Sequence, residues 1–337
     1  MRIPSIPRLR RMAVVAIAAW LGVGVLVVGR VYAPPACATG RPIDSAPIGD
    51  LGPIAHSHGP DGGHVDPSTG ALLVTSTDLA VPGQAPLVLR RTYRTFHPTS
   101  RAFGRGASHT YGIFLYSAKE YEEADLVLPS EELIHFVRVS PGTSWVDAVF
   151  RSTSSAPVFA GSTLAWNGAG WDLGLADGTV LVFGERAPLQ AIRQANGAQV
   201  AIVRRGGDPN GDIVAVRSIH GRCVGLGYDG SGRITSAWDD TGRTMGYTYD
   251  PAGYLSKVSA SSGAITEYLY DSDGRMKSAV DEHAMSTLSA SYDANGRVRT
   301  LTTMDGAHFY AYVTDSAGRV TETDVTDPQG MTRQIWP

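Results

Sequence analysis

The segment YDSDGRM, Tyr270 to Met276, decides the fold because the chain repeats it. Close copies begin at Tyr228 (YDGSGRI), Tyr249 (YDPAGYL) and Tyr292 (YDANGRV), and a weaker copy, TDSAGRV, begins at Thr314. The aspartates of these five copies follow one another in steps of 21, 21, 22 and 22 residues. A fixed period of this length indicates stacked supersecondary units rather than one conventional core.

Each copy has the chemistry of a tight turn, which we call the repeat turn. Its aspartate carboxylate can accept the backbone N–H two residues later. Its glycine supplies the positive φ that closes a type I turn followed by a bulge. The tyrosine ends the strand before the turn. The arginine of the copy is predicted to open the next strand, and the apolar residue after it is predicted to point inward, at Ile234, Leu255, Met276, Val298 and Val320.

Weaker half-copies separate the repeat turns, so each unit is predicted to be a hairpin of two short strands. The half-copies are DDTGRT after Trp238, DEHAMS from Asp281 and TDPQGM from Thr326. The apolar residues inside a unit, such as Ile234 and Ala237, lie three positions apart, although one face of a regular strand takes every second residue. One β-bulge in each unit would correct the facing and curve the sheet.

The repeated tyrosines are predicted to form a ladder across the strands. Arginines of the repeat turns would stack on these rings, at about 0.5–1 kcal/mol for each exposed contact.

Composition supports an all-β chain without a nucleic-acid partner. The 337 residues carry a net charge of -3, which gives no electrostatic reason to bind nucleic acid. The 39 glycines and 20 prolines imply many turns. One segment, SAKEYEEADLVL at residues 117–128, is predicted to be a helix that Pro129 ends.

The first residues carry the pattern of an export signal. Four arginines precede an uncharged apolar run at residues 12–28. The triplet Ala36-Cys37-Ala38 predicts cleavage after Ala38. An uncleaved membrane anchor through residues 12–28 is the alternative, because Arg30 closely follows the run. A lipoprotein at Cys37 is a third alternative, which Pro34 and Pro35 disfavour.

The chain has two cysteines, Cys37 and Cys223. Cleavage after Ala38 would leave Cys223 alone, and this predicts a fold without an internal disulfide. Cys223, between Arg222 and Val224, is then predicted to be a small buried apolar residue.

These observations divide the chain into four parts. Residues 1–38 are the signal peptide or anchor, and residues 39–64 are a flexible linker rich in Gly, Pro, Ser and His. Residues 65–185 are a β-rich N-terminal domain, in which Pro82-Gly83 and Asp177-Gly178 mark turns. Residues 186–337 are the repeat array, which is incomplete.

The repeated motifs resemble the YD repeats of bacterial RHS proteins and of the related teneurins. The segment VDPSTGALLVTSTDLAVPGQAPLVLRRTYRT, residues 65–95, and FGRGASHTY, residues 103–111, resemble the opening of the RHS region. Together these matches cover the chain from about Val65 to its end.

The resemblance implies a curved or spiralling antiparallel sheet of YD-repeat hairpins, preceded by a β-rich RHS-type domain. In the family such sheets form a hollow shell around a C-terminal toxin. The implied partners are a toxin or effector, or a second RHS chain. This chain departs from the family pattern at Ala107, at Tyr254 and at His283-Ala284, where a non-standard half-turn is predicted.

One group of residues has the composition of a metal site. His56, His58, Asp61, His64 and Asp66 lie within eleven residues and could bind zinc or nickel. The glycines between them favour a polar linker instead, because a flexible segment provides no preorganised site.

Two further groups have structural explanations. Asp271 and Asp273 resemble the spacing of a calcium loop, but the other copies lack the matching oxygens, which favours a turn. Ser108, His97 and His109 lie near each other in sequence, yet no nucleophile motif accompanies them, and His109 is predicted to be a packed strand residue.

The sequence therefore predicts an exported, non-catalytic scaffold, with no catalytic, cofactor-binding or metal residue assigned. The alternative is a cell-envelope protein for carbohydrate binding or adhesion, with the tyrosine ladder as its sugar-stacking surface. An enzyme based on residues 56–64 is a third hypothesis.

Overall fold

The computed structural model describes Cys37, residues 61–97 and residues 99–336. Of the predicted signal segment 1–38, only Cys37 belongs to the described residues. Within the described residues, no helix has the length and apolar character needed to cross a bilayer.

The described chain begins with a small antiparallel sheet, the N-terminal sheet. Its strands lie in the order β1-β2-β3-β6. A two-stranded ribbon, β4-β5, interrupts it. The bounds are β1 Gly62–Val65, β2 Leu72–Val81, β3 Leu87–Arg94, β4 Ser100–Arg101, β5 Gly104–Arg105 and β6 Ala107–His109.

A sheet of 21 strands, the main sheet, follows. Its strands pair antiparallel in chain order, beginning with β7 and β8. The first ten are β7 Phe114–Tyr116, β8 Glu123–Val127, β9 Leu133–Arg138, β10 Val149–Ser152, β11 Thr163–Trp166, β12 Gly170–Gly174, β13 Val180–Gly184, β14 Leu189–Arg193, β15 Gln199–Arg204 and β16 Ile213–Ser218.

The repeat turns build the rest of the main sheet. Its strands are β17 Cys223–Tyr228, β18 Ile234–Asp239, β19 Thr244–Tyr249, β20 Leu255–Ala260, β21 Ile265–Tyr270, β22 Met276–Asp281, β23 Ser286–Tyr292, β24 Val298–Thr303, β25 Gly306–Thr314, β26 Val320–Thr326 and β27 Thr332–Ile335. The predicted all-β sheet of hairpins is confirmed.

The main sheet closes on itself where β7 meets the segment that leads into β14. Phe114 forms a β-bridge with Pro188. The Leu115 N–H donates to the Ala187 carbonyl at 3.0 Å. The pairing of β13 with β14 crosses the predicted domain boundary at residues 185 and 186, so the sheet is continuous there.

A bulge marks every repeat turn, as predicted. The pairing register shifts at Tyr228, Tyr249, Tyr270, Tyr292 and Thr314, the residue that begins each copy. The extra residue lets Ile234 and Ala237 both face inward, and both are fully buried. We call the buried side of the repeat strands the inner face.

The N-terminal sheet lies against the inner face. Strands β2 and β3 contact β16, β17 and β18, and β1 contacts β24. One hydrophobic core therefore includes Leu72, Leu87 and Leu89 of the N-terminal sheet together with Ile234 and Val298 of the repeats.

The predicted helix at residues 117–128 is wrong. Residues 117–122 form a turn and Glu123–Val127 form β8, where Ala124 and Leu126 alternate into the core. Pairing with β7 and β9 outweighs the helix propensity of the Glu- and Ala-rich sequence. The one helical element among the described residues is the 3-10 turn Arg205–Gly207.

Two further expectations need correction. The predicted linker 39–64 ends too late, because residues 62–64 already belong to β1, paired with β2. The prediction of an unpaired Cys223 is wrong for the full chain, because Cys223 forms a disulfide with Cys37 across 186 residues of sequence. Cys223 is nevertheless buried, as predicted.

Candidate functional site

The repeat turn uses its aspartate to organise its own backbone. In the first copy, one Asp229 carboxylate oxygen accepts the Ser231 N–H at 2.8 Å and the Arg233 N–H at 3.0 Å. The other oxygen accepts the Arg233 Nε–H at 2.8 Å. Burial opposes ionisation of Asp229, but these hydrogen bonds outweigh it and lower the pKa of its carboxyl.

The same arrangement recurs at Asp271, where the side chain of Asp273 pairs with Arg275 at 2.6 Å. Both carboxylates in this loop therefore serve the turn. The interpretation of Asp271 and Asp273 as turn residues agrees with these contacts.

The tyrosine of each copy links its unit to the preceding one. The Tyr249 hydroxyl donates to the Ile234 carbonyl at 2.5 Å, and the Tyr270 hydroxyl donates to the Leu255 carbonyl at 2.9 Å. The same bond joins Tyr292 to Met276 and Tyr312 to Val298. Sequence reasoning missed this hydrogen bond, although the partners recur in the repeats at a similar spacing of 14 to 16 residues.

Arginines stack on the tyrosine ladder as predicted. The Arg233 guanidinium lies 4.5 Å from the Tyr249 ring centroid, and that of Arg275 lies 4.8 Å from Tyr292. Tyr249 and Tyr292 are thus each held by a cation on the ring and a carbonyl at the hydroxyl. Burial, the largest cause, raises the pKa values of Tyr249 and Tyr292.

Tyr254 stands where the other copies have the arginine, and it keeps the stack. Its ring lies 4.7 Å from that of Tyr270. Arg105, from β5, supplies the cation 5.7 Å from the Tyr254 ring. The Arg105 N–H also donates to the Gly253 carbonyl at 3.0 Å. A residue of the ribbon β4-β5 therefore replaces the missing arginine of this copy.

The predicted non-standard half-turn at His283-Ala284 is wrong. One Asp281 carboxylate oxygen accepts the His283 N–H at 3.0 Å and the Met285 N–H at 2.9 Å, as in the repeat turns. Ala284 occupies the glycine position with φ of 58°. The turn is standard, and alanine accepts the left-handed conformation at an energetic cost.

Bulge residues on the inner face present backbone N–H groups to the N-terminal part of the chain. The Ile234 N–H donates to the Ala102 carbonyl at 2.7 Å, and the Val298 N–H donates to the Gly70 carbonyl at 2.9 Å. The Met276 N–H donates to the Tyr93 hydroxyl at 2.9 Å. The bulges that curve the main sheet therefore also bind the N-terminal sheet.

A buried charged network lies at the centre of this interface. Arg91 and Asp78 form a bidentate ion pair. The Arg91 Nε lies 2.7 Å from one Asp78 carboxylate oxygen, and the Arg91 Nη2 lies 3.0 Å from the other. The side chains are 9% and 3% exposed. Tyr247 donates to Asp78 at 2.7 Å, and Arg91 donates to the Tyr268 hydroxyl at 3.2 Å. The rings of Phe103, Tyr247 and Tyr268 surround the guanidinium.

The predicted metal cluster is not brought together among the described residues. His56 and His58 lie outside the described residues. Asp61 accepts the Thr77 N–H at 2.9 Å and lies 3.2 Å from Arg90. Asp66 accepts bonds from Ser68, Thr69 and Arg94. Within the described part of the chain, no group of three or more His, Cys, Asp or Glu side chains could hold a metal ion.

Asp61, His64 and Asp66 instead line an open groove with a volume of about 1340 Å³. The groove lies between β1 and β2 on one side and β21 to β24 on the other. Burial of Asp66 opposes its ionisation, but hydrogen bonds from Ser68, Thr69 and Arg94 outweigh this effect and lower its pKa. Burial, the largest cause, lowers the pKa of the His64 imidazole.

His109 is a packed strand residue, as predicted. It lies in β6 with its ring edge-on to Phe103, at 5.9 Å between centroids. Its Nδ1 accepts the Tyr111 N–H at 3.3 Å. Complete burial, followed by the charge of Arg204, lowers the pKa of His109 to about 4. A neutral imidazole held in this way supports the core. Ser108 is buried on the same strand.

Two family models match the sequence. Residues 62–136 match a domain of unknown function, DUF6531, and residues 194–327 match the Teneurin YD-shell family. No protein with a curated description matches the sequence.

Several solved structures are similar to the chain. In the crystal structure of TcdB2-TccC3-TEV the identity is 12%, with 80% of this chain and 16% of that chain covered and a TM-score of 0.33. In the Photorhabdus luminescens Tc holotoxin pore with a mutated TccC3 the identity is 11%, with 82% and 19% covered and a TM-score of 0.30. The chain thus spans less than a fifth of the length of either structure.

Proposed function

We propose a function from the premise that this chain is a member of the RHS/YD-repeat family, which the Teneurin YD-shell match over residues 194–327 supports. The protein is an exported, non-catalytic scaffold that forms part of the wall of a β-shell. In this role the repeats supply a curved surface that encloses another polypeptide.

One observation carries this proposal: the inner face already holds a folded piece of protein. It does so with backbone donors at Ile234 and Val298, and with side chains that reach across the interface, such as Tyr247 to Asp78. A face that provides backbone donors at the bulges of Ile234, Met276 and Val298, with aromatic rings between them, is suited to bind polypeptide.

The polar groups of the repeats support a non-catalytic role. The carboxylates of Asp229, Asp271 and Asp315 each accept backbone N–H groups of their own turn, so they are occupied in holding the sheet. Catalytic carboxylates are instead arranged around a substrate.

The enclosed polypeptide is proposed to be a toxin or effector, as in the family, and it either belongs to a longer form of this chain or comes with a second RHS chain. Export is part of the proposal and rests on the basic start and the apolar run at residues 12–28.

The carbohydrate-binding alternative relied on free tyrosine rings. The hydroxyls of Tyr249 and Tyr292 are bonded to carbonyls and their rings lie against arginines. These contacts occupy the hydroxyls and one face of each ring, so we do not favour this alternative.

The test uses the native protein from its source cells, isolated with antibodies against residues 61–336. We expect additional YD-repeat sequence and a second polypeptide segment that resists protease until urea opens the shell. A native protein that consists of this chain alone, monomeric and with nothing enclosed, would overturn the proposal.

A further inference from the structure

The disulfide between Cys37 and Cys223 joins two distant parts of the chain. Cys223 opens β17, is 2% exposed and lies beside the buried residues Val224 and Leu226. The two Cα atoms are 5.6 Å apart, within the range of protein disulfides. Strand β17 also contacts β2 and β3 of the N-terminal sheet. Cys37 is therefore bonded to a strand that also contacts the N-terminal sheet.

We propose that this disulfide is a redox-controlled clamp, which holds Cys37 on the main sheet while the protein is in an oxidising compartment. The closed covalent loop contains the whole N-terminal sheet and strands β7 to β16. The clamp rests on the export that forms part of the proposed function, but it does not depend on the enclosed cargo.

The surroundings of Cys223 favour a formed bond. Its carbonyl accepts the Asp240 N–H at 3.2 Å, and the neighbouring Arg222 pairs with Asp240 at 2.7 Å, with both side chains largely buried. These contacts hold the start of β17 in place, so the Cys223 sulfur is fixed where Cys37 reaches it.

The chemistry of the clamp is a thiol–disulfide exchange. On export, the two thiols of Cys37 and Cys223 reduce a disulfide of an oxidoreductase to a dithiol, which takes up their two electrons and two protons. In a reducing compartment, a thiolate such as that of glutathione attacks the half-buried Cys37 sulfur, and Cys223 leaves as the thiolate. A second thiol then completes the release.

The clamp also constrains processing of the leader. Cleavage after Ala38 would place Cys37 on the leader peptide, which the disulfide would keep attached to β17. We infer that Cys37 stays with the exported protein and that cleavage after Ala38 does not separate it from the sheet.

The first test is a peptide map of the full chain, produced in an exporting host, alkylated and digested without reduction. We expect a linked peptide pair that contains Cys37 and Cys223. Alkylated Cys223, or a protein that begins at Thr39 without an attached Cys37 peptide, would overturn the clamp.

The second test compares thermal unfolding of wild type, Cys37→Ser, Cys223→Ser and the double variant, each with and without dithiothreitol. Removal of a disulfide around a long loop lowers the midpoint by about 5–15 °C. We expect Cys37→Ser and reduced wild type to share the same lowered midpoint. Cys37→Ser is the matched control, because it breaks the bond without changing the buried site on β17.

If Cys37→Ser unfolds at the wild-type midpoint and only Cys223→Ser is destabilised, Cys223 contributes packing alone and the clamp is wrong. The two proposals fail separately: a missing disulfide leaves the shell assay on the native protein unaffected, and a missing cargo leaves the peptide map unaffected.

Discussion

The ion pair of Arg91 with Asp78 should be the most sensitive single contact between the N-terminal sheet and the repeats. Arg91→Met removes the guanidinium but leaves Asp78 buried, with only the Tyr247 hydroxyl as a partner from the repeats. Removing one member of a buried ion pair costs about 3–5 kcal/mol, because an uncompensated charge is left behind. The whole stability of a domain is typically about 5–15 kcal/mol.

The measurement is urea unfolding followed by circular dichroism, with the free energy of unfolding taken at constant m-value. Arg193→Met is the matched control. Its ion pair with Asp172 is solvent-exposed, with side chains 46% and 29% exposed, and should contribute at most about 1 kcal/mol. The double variant Arg91→Met/Asp78→Leu should recover part of the loss, since no buried charge remains.

The reasoning would be refuted by an Arg91→Met variant no less stable than Arg193→Met. That result would mean that water or a rearranged tyrosine compensates Asp78, and that the N-terminal sheet is held by its apolar contacts alone.

Three further changes test the turns and the core. Ala284→Gly should raise the free energy of unfolding by up to about 1 kcal/mol in urea titrations, because it relieves a left-handed alanine, and no gain would contradict the turn geometry. Gly274→Ala should lower the free energy of unfolding more than Gly263→Ala, because both glycines have positive φ but a Cβ at position 274 would also collide with Tyr254. Equal decreases in the same titration would argue against that contact. The free energy of unfolding should fall by about 3 kcal/mol between pH 6.5 and about 4, because His109 binds a proton in the unfolded chain but stays neutral in the folded protein. In His109→Gln the unfolding midpoint should change less across this pH range. A pH profile identical to that of wild type would contradict the assignment.

Local features of the repeats were predictable from the sequence. The aspartate and glycine of each turn act through bonds to residues two to four positions away, and the spacing of Ile234 and Ala237 required a bulge. Such interactions repeat with the period, so one copy predicts the others.

Long-range features were not predictable in the same way. The helix expected at residues 117–128 followed local propensity, whereas β8 forms because β7 and β9 pair with it. The position of the N-terminal sheet on the inner face depends on contacts such as the hydrogen bond between Tyr93 and Met276, which are 183 residues apart in sequence. Cys37 and Cys223 lie 186 residues apart, and the cleavage expected after Ala38 would have separated them.

The bond from each tyrosine to the carbonyl of the unit before it implies a direction of fraying. Every repeat is secured by its neighbours, but the inward residue is fully buried at Ile234 and only half-buried at Val320. Amide hydrogen exchange should therefore be slow from β18 to β24 and faster in β26, so that local opening begins at that end of the array. The hairpin of β25 and β26 would then open at a lower free energy than the hairpins before it.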